Sequence, residues 1–196
     1  MDLEQKIGEV IETSNSEFLT QCYKLDDAPS LGSMVKTRAK EYTIYGVVYY
    51  SATHSIEPGR RIIARGRSAE TEEEVYKANP QLERLLCTDF RALVIGYAHE
   101  SAVRQHLPPF PASIYAFVYN ANHEEVKRLT QSLNFLNLLL EGRLPVMTDD
   151  VIAAFLRCAS QAYESPRDFL IKAGKELAWL LSDDIRRLDS ILKRIN

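Results

Sequence analysis

The side chains best suited to acid–base, nucleophilic or metal chemistry in this sequence are four histidines, three cysteines and three adjacent acidic pairs. Zinc sites announce themselves by short His and Cys spacings, because neighbouring ligands must converge on one ion. His54, His99, His106 and His123 include no pair three or four residues apart, and Cys22, Cys87 and Cys158 form no Cys-x-x-Cys. Spacing therefore implies no metal site and no cofactor. His99-Glu100-Ser101 holds the residue types of a hydrolytic triad but reads more plainly as a surface loop. Asp26-Asp27, Asp149-Asp150 and Asp183-Asp184 are of the type that holds magnesium in nucleases. The last two pairs stand at helix starts, where capping accounts for them.

Glycine spacing closes off further chemistries. The nearest glycines, Gly59 and Gly66, are seven residues apart. The dinucleotide fingerprint, the P-loop and the nucleophile elbow all need closer glycines, so none can be drawn on this sequence. No catalytic residue is assigned, and the chain is not expected to be an enzyme.

What remains are residues that bind. Tyr42, Tyr45, Tyr49 and Tyr50 fall in one aromatic, β-branched stretch, and such rings stack bases on some barrel faces. The densest basic run is Arg60, Arg61, Arg65 and Arg67. In a strand, Arg61, Arg65 and Arg67 share one face. With Tyr42 and Tyr49 they make a candidate partner or nucleic-acid surface; the plainer reading is a solvated strand face and tyrosines in cross-strand pairs. Net charge is -3, with 13 Lys/Arg against 16 Asp/Glu in residues 1–120 and 11 of each thereafter. Nucleic acid is therefore not the favoured partner.

The elements that position these residues divide by period. Strands are expected at Ile7–Ile11, Phe18–Leu25, Met34–Arg38, Tyr42–Tyr50, Ile62–Gly66 (after the turn Glu57-Pro58-Gly59), Ala92–Tyr97 and Ile114–Tyr119. Gly46 inside the fourth suggests a bulge or barrel bend. Glu70–Ala78, capped by Thr71, and Pro80–Cys87 read as a short helical insert. His106-Leu107-Pro108-Pro109-Phe110-Pro111 is a rigid extended segment. After residue 121 the period becomes helical. Val126, Leu129, Leu133, Leu136 and Leu140 form a heptad-like stripe on one expected helix, closed by a left-handed Gly142 before Pro145. Thr148 opens the next helix and Ser165-Pro166 another, with a further cap expected at Ser182-Asp183-Asp184. The expected fold class is α+β: an N-terminal antiparallel β-barrel of about seven short strands over residues 1–120, then a C-terminal helical bundle over 121–196.

The chain has 196 residues, 45% hydrophobic and 26% charged, ordinary for a globular protein. Three scattered cysteines fit a reducing cytoplasm. The opening Met1-Asp2-Leu3-Glu4-Gln5-Lys6 lacks the pattern of a signal peptide, and no apolar run approaches a membrane span.

The β-half resembles the HAS barrel, the small barrel that precedes the motor of HerA-type DNA-translocating ATPases and is related to the barrel of ATP synthase α and β subunits. The matching pieces are Ile7-Gly8-Glu9-Val10, Leu31-Gly32-Ser33-Met34-Val35, Tyr45-Gly46-Val47-Val48-Tyr49, Asn79-Pro80-Gln81-Leu82, Leu93-Val94-Ile95-Gly96-Tyr97 and Leu107 to Tyr115. Their order agrees over residues 5–119. The RecA-like core that follows the barrel in that family is missing, and with it the Walker A motif, so ATP hydrolysis does not carry over. The resemblance implies subunit contact and docking of a protein partner, such as a HerA-like ATPase or a NurA-like nuclease. The expectation is a non-catalytic assembly module in the cytoplasm, with no membrane association. It is expected to form a homo-oligomer, most simply a dimer, through the stripe Val126, Leu129, Leu133, Leu136 and Leu140. The alternatives are a single-stranded nucleic-acid-binding barrel and an enzyme with an unrecognised site.

Overall fold

The computed structural model describes residues 5–57, 59–142 and 144–195. Pro58 of the expected turn, Met1–Glu4 of the opening segment and the terminal Asn196 lie outside the described residues.

β-branched, aromatic and other apolar residues build the sheet, in near-continuous buried runs along its two longest strands because both of their faces are covered. Its strands are β1 (Lys6–Thr13), β2 (Glu17–Cys22), β3 (Met34–Ala39), β4 (Tyr42–Ser55), β5 (Leu86–His99), β6 (Ala102–Arg104) and β7 (Phe117–Asn120). All pair antiparallel in the order β2-β1-β7-β3-β4-β5-β6, and a further β2–β5 pairing closes six of them into a barrel. Closure removes the free edges of those six strands, and the edge left is the three-residue β6. Ile7, Val10, Phe18, Val35, Ile44, Val48, Phe90 and Val94 fill the interior. Gly46 sits at a register break between β4 and β5, where an added Cβ would lie 2.9 Å from the Phe18 ring. The expected bend at this glycine is thus present, and it makes room for an aromatic core residue.

The expected strand at Ile62–Gly66 is absent: the residues described between Gly59 and Thr71 are irregular. A strand requires a partner edge, and this segment belongs to an excursion between β4 and β5, which pair directly through Ser55 and Leu86. The excursion folds on itself. It carries α1 (Glu72–Ala78), with Thr71 accepting from the Glu74 amide, and the single turn α2 (Leu82–Leu85), shorter than the expected Pro80–Cys87 because Leu86 and Cys87 are taken up by pairing with β4 in β5. β6 was not expected; it extends the sheet beside β5 after a tight turn with Glu100 at φ 52°.

The helices after β7 are α3 (His123–Thr130), α4 (Phe135–Glu141), α5 (Thr148–Ser160), α6 (Pro166–Leu180) and α7 (Ile185–Ile195). Asn122 and Glu125 form a reciprocal capping box on α3. Ser165 caps α6 with Pro166 in its first turn, and Asp184 accepts from the Arg187 amide to start α7. The single helix expected from the leucine stripe is broken between α3 and α4. Gln105 explains the break: its amide nitrogen donates to the carbonyls of Leu129 and Ser132, and its oxygen accepts from the Phe135 amide. One side chain thus satisfies backbone groups that helix continuation would have used. Gly142 ends α4 with φ -60°, not in the expected left-handed conformation.

α3, α4 and α5 lie against the barrel's outer wall, and α6 and α7 pack on α5. Tyr45, Val47, Tyr49, Leu93 and Ile95 share one apolar cluster with Leu129, Phe135, Leu136, Ile152, Phe155 and Leu156. α5 is the central helix, buried along most of its length. Gly32, at φ 82°, lets the chain before β3 approach so closely that a Cβ there would lie 2.4 Å from the backbone of Ala154 and Phe155. Among the described residues no helix is long and apolar enough to cross a membrane.

Candidate functional site

The residues singled out for binding do not gather in one place. β4 runs from Tyr42 to Ser55, fourteen residues, so Tyr42 and the arginines beyond Ser55 stand at opposite ends of a strand roughly 40 Å long. Arg61, Arg65 and Arg67 lie in the irregular excursion and share no strand face. Arg65 is turned toward Asn79, with Nη1 donating at 3.3 Å. Tyr49 is only 2% exposed, and its hydroxyl donates to the Glu17 carboxylate, which also meets Arg91. Burial and that hydrogen bond raise the Tyr49 pKa, so it stays a neutral donor. The stripe is likewise taken up inside the chain: Val126, Leu129, Leu133 and Leu136 are buried, and Leu140 packs against the same cluster. The apolar residues left outside on this half include Ile171, Trp179 and Ile185.

Tyr42 belongs to a different surface. Its ring stacks on His99 at 4.7 Å and meets Tyr97 at 5.6 Å and Phe110 at 6.1 Å. Lys40 Nζ stands 3.3 Å over the Phe110 ring, and Lys6 Nζ stands 3.6 Å over Phe117. Phe110 lies within the proline-rich segment that leads into β7, and Phe117 opens β7. That segment is fixed by its backbone: Ser113 N donates to Arg38 O, Tyr115 N to Val10 O, and Val10 N to Ala116 O. Ala112 plugs the barrel interior. Yet Leu107, Phe110, Ile114, Tyr115 and Phe117 are all exposed, Tyr115 by 72%. Tyr115 also takes φ 64°, a left-handed conformation that costs a non-glycine residue about 1–2 kcal/mol. Exposed apolar side chains on a backbone fixed in this way suit a partner surface.

The structure also assembles a group that spacing along the chain does not reveal. Toward the far end of the β4–β5 ribbon, where Asp89 also pairs with Gln21 of β2, His54 faces Cys87 and Ala52 faces Asp89 in antiparallel register. Strand alternation puts Cys87 and Asp89 on one face, and His54 joins them. His54 Nε2 is 3.5 Å from Cys87 Sγ and 3.5 Å from Asp89 Oδ2. Burial raises the Cys87 thiol, aided by Asp89 and opposed by a hydrogen bond to Gln21. Burial likewise raises the Asp89 carboxyl, opposed by His54 and Gln21. Asp89 Oδ1 is buried without a hydrogen-bond partner among the described residues. The sequence alone places Cys87 in the helical segment Pro80–Cys87, so the Cys-x-Asp alternation emerges only with β5 starting at Leu86, and its pairing with a histidine 33 residues away only with the register of β4.

His99 is therefore an aromatic-cluster residue. The expected capping is present at Asp184, which accepts from the Arg187 amide, but not at Asp149 and Asp150, since the start of α5 carries no side-chain cap. Asp149 and Asp150 bind Arg187 and Arg194 of α7, tying that helix to the start of α5. No protein-family model matches this chain, and no curated protein does.

Proposed function

We propose that this chain is a non-catalytic assembly module of the cytoplasm. In this reading residues 1–120 are an N-terminal HAS-like barrel domain and 121–196 a C-terminal helical bundle that braces it. The barrel docks a protein partner, a HerA-like ring ATPase or a NurA-like nuclease, through the wall formed by Leu107, Phe110, Ile114, Tyr115 and Phe117. The observation that carries this reading is the exposure of those apolar side chains on a backbone locked to β1 and β3. Self-association, if it accompanies docking, falls to Ile171, Trp179 and Ile185, because the leucine stripe is occupied internally. The nucleic-acid reading is weaker: its tyrosines and arginines are separated by the length of β4, and Tyr45 and Tyr49 are buried.

The test is sedimentation of the purified chain with a purified HerA-type ATPase and, separately, a NurA-type nuclease. A complex that forms with one of them and is lost on Tyr115→Asp supports the reading. No complex with either, or one indifferent to Tyr115→Asp and Phe110→Ser, overturns it.

A further inference from the structure

We propose that His54, Cys87 and Asp89 bind a divalent transition-metal ion, zinc above all, with water completing the coordination. The site is separate from the apolar wall and does not depend on the assembly reading. Its three donor atoms lie within 4.8 Å of one another. A tetrahedral zinc ion with bonds of about 2.0–2.3 Å separates its ligands by roughly 3.5 Å. The two separations from His54 Nε2 already have that value, 3.5 Å each. Both contacts converge on the same imidazole nitrogen. A Cys-His-Asp relay needs the nucleophile on one ring nitrogen and the carboxylate on the other, so this arrangement suits an ion and not a nucleophile.

The donor chemistry selects the ion. Magnesium and calcium take oxygen ligands, whereas a thiolate with imidazole and carboxylate suits zinc, cobalt or nickel. A thiolate and a carboxylate together carry two negative charges, matched by the dication. Binding forms the sulfur–metal bond as the Cys87 proton leaves to solvent. A second observation is that the other Asp89 oxygen, Oδ1, is buried with no hydrogen-bond partner among the described residues, an uncommon state that leaves the carboxylate with unused acceptor capacity. The His54 side chain is 52% exposed, which leaves an entry path and a place for water. The opposite face of the ribbon is braced, because Thr53 donates to Asp26 at 2.6 Å and Thr88 accepts from the Asp26 amide at 2.8 Å. The ligands are thus held on paired strands instead of a loop.

The test is titration of the full reduced chain with cobalt(II) chloride. The expected result is one equivalent bound, with strong visible bands of tetrahedral cobalt and a thiolate-to-cobalt charge-transfer band, all displaced by zinc. Cys87→Ser abolishes the charge-transfer band. His54→Ala, at a half-exposed side chain, weakens binding at least about tenfold, the effect typical of losing even a supporting residue. Cys158→Ser leaves both unchanged. No charge-transfer band in the parent chain, a band that survives Cys87→Ser, or one lost in Cys158→Ser overturns the proposal.

Discussion

Cys22 and Cys158 show how placement sets the behaviour of one residue type. Cys22 lies in the barrel interior, where burial, with Asp89 and Asp27 adding to it, pushes its thiol up from 9.0 to about 12. A rise of that size leaves roughly a thousandfold less thiolate at neutral pH. Cys158 is exposed. At pH 8 a disulfide reagent should therefore modify Cys158 well before Cys22, which should react fully only when the chain is unfolded. Peptide mass spectrometry after timed labelling checks the order, and fast native labelling of Cys22 would contradict it. Gly32 is sensitive for a different reason. Gly32→Ala places a Cβ against the α5 backbone at positive φ, so both strain and overpacking act. A loss of about 3 kcal/mol is expected, read as a lower urea midpoint with unchanged slope.

Among the elements, the break between α3 and α4 depends on a residue outside both. Gln105 makes three hydrogen bonds to the backbone of this junction. Gln105→Ala would leave those groups without their partner and should cost about 2 kcal/mol, whereas Gln105→Glu would keep the acceptor and lose the donor. Urea unfolding of the two variants separates these contributions. Ser165→Ala removes an ordinary cap from α6 and should cost about 1 kcal/mol. If Gln105→Ala proves no worse than Ser165→Ala, the junction is held by packing and not by that side chain.

For the whole molecule, the decisive feature is that the barrel has two apolar faces. Its interior closes on itself, while its outer wall at Tyr45, Val47, Leu93 and Ile95 is covered by α3–α5, with α6 and α7 packed on α5. A fragment of residues 1–120 should keep its β signal in circular dichroism, because the interior core is intact. It should also unfold at lower temperature than the full chain and bind a hydrophobic dye, because the outer wall is uncovered. A fragment with no β signal would show that the outer cluster is needed to form the barrel at all. The full chain should show no micromolar affinity for ATP or GTP by calorimetry, since no phosphate-cradling glycine loop can be drawn from its glycines.

Much of the fold was legible from local chemistry. Ser165-Pro166, Thr71 and the acidic run at Ser182–Asp184 mark helix starts because capping is decided within four residues. Gly46 marks a bend because the flanking residues already read as a strand. The same local patterns misread Ile62–Gly66, since a strand exists only where another strand offers an edge, and they joined α3 to α4, since the side chain that parts them lies some 25 residues upstream. The candidate sites depend on the same non-local information. Tyr42 and Tyr49 share a strand, yet one meets an aromatic cluster and the other is buried under helices. His54, Cys87 and Asp89 become neighbours only through the register of β4 against β5. Residue type and period determined which elements this sequence makes; pairing and packing, which join residues far apart along the chain, decided which side chains meet.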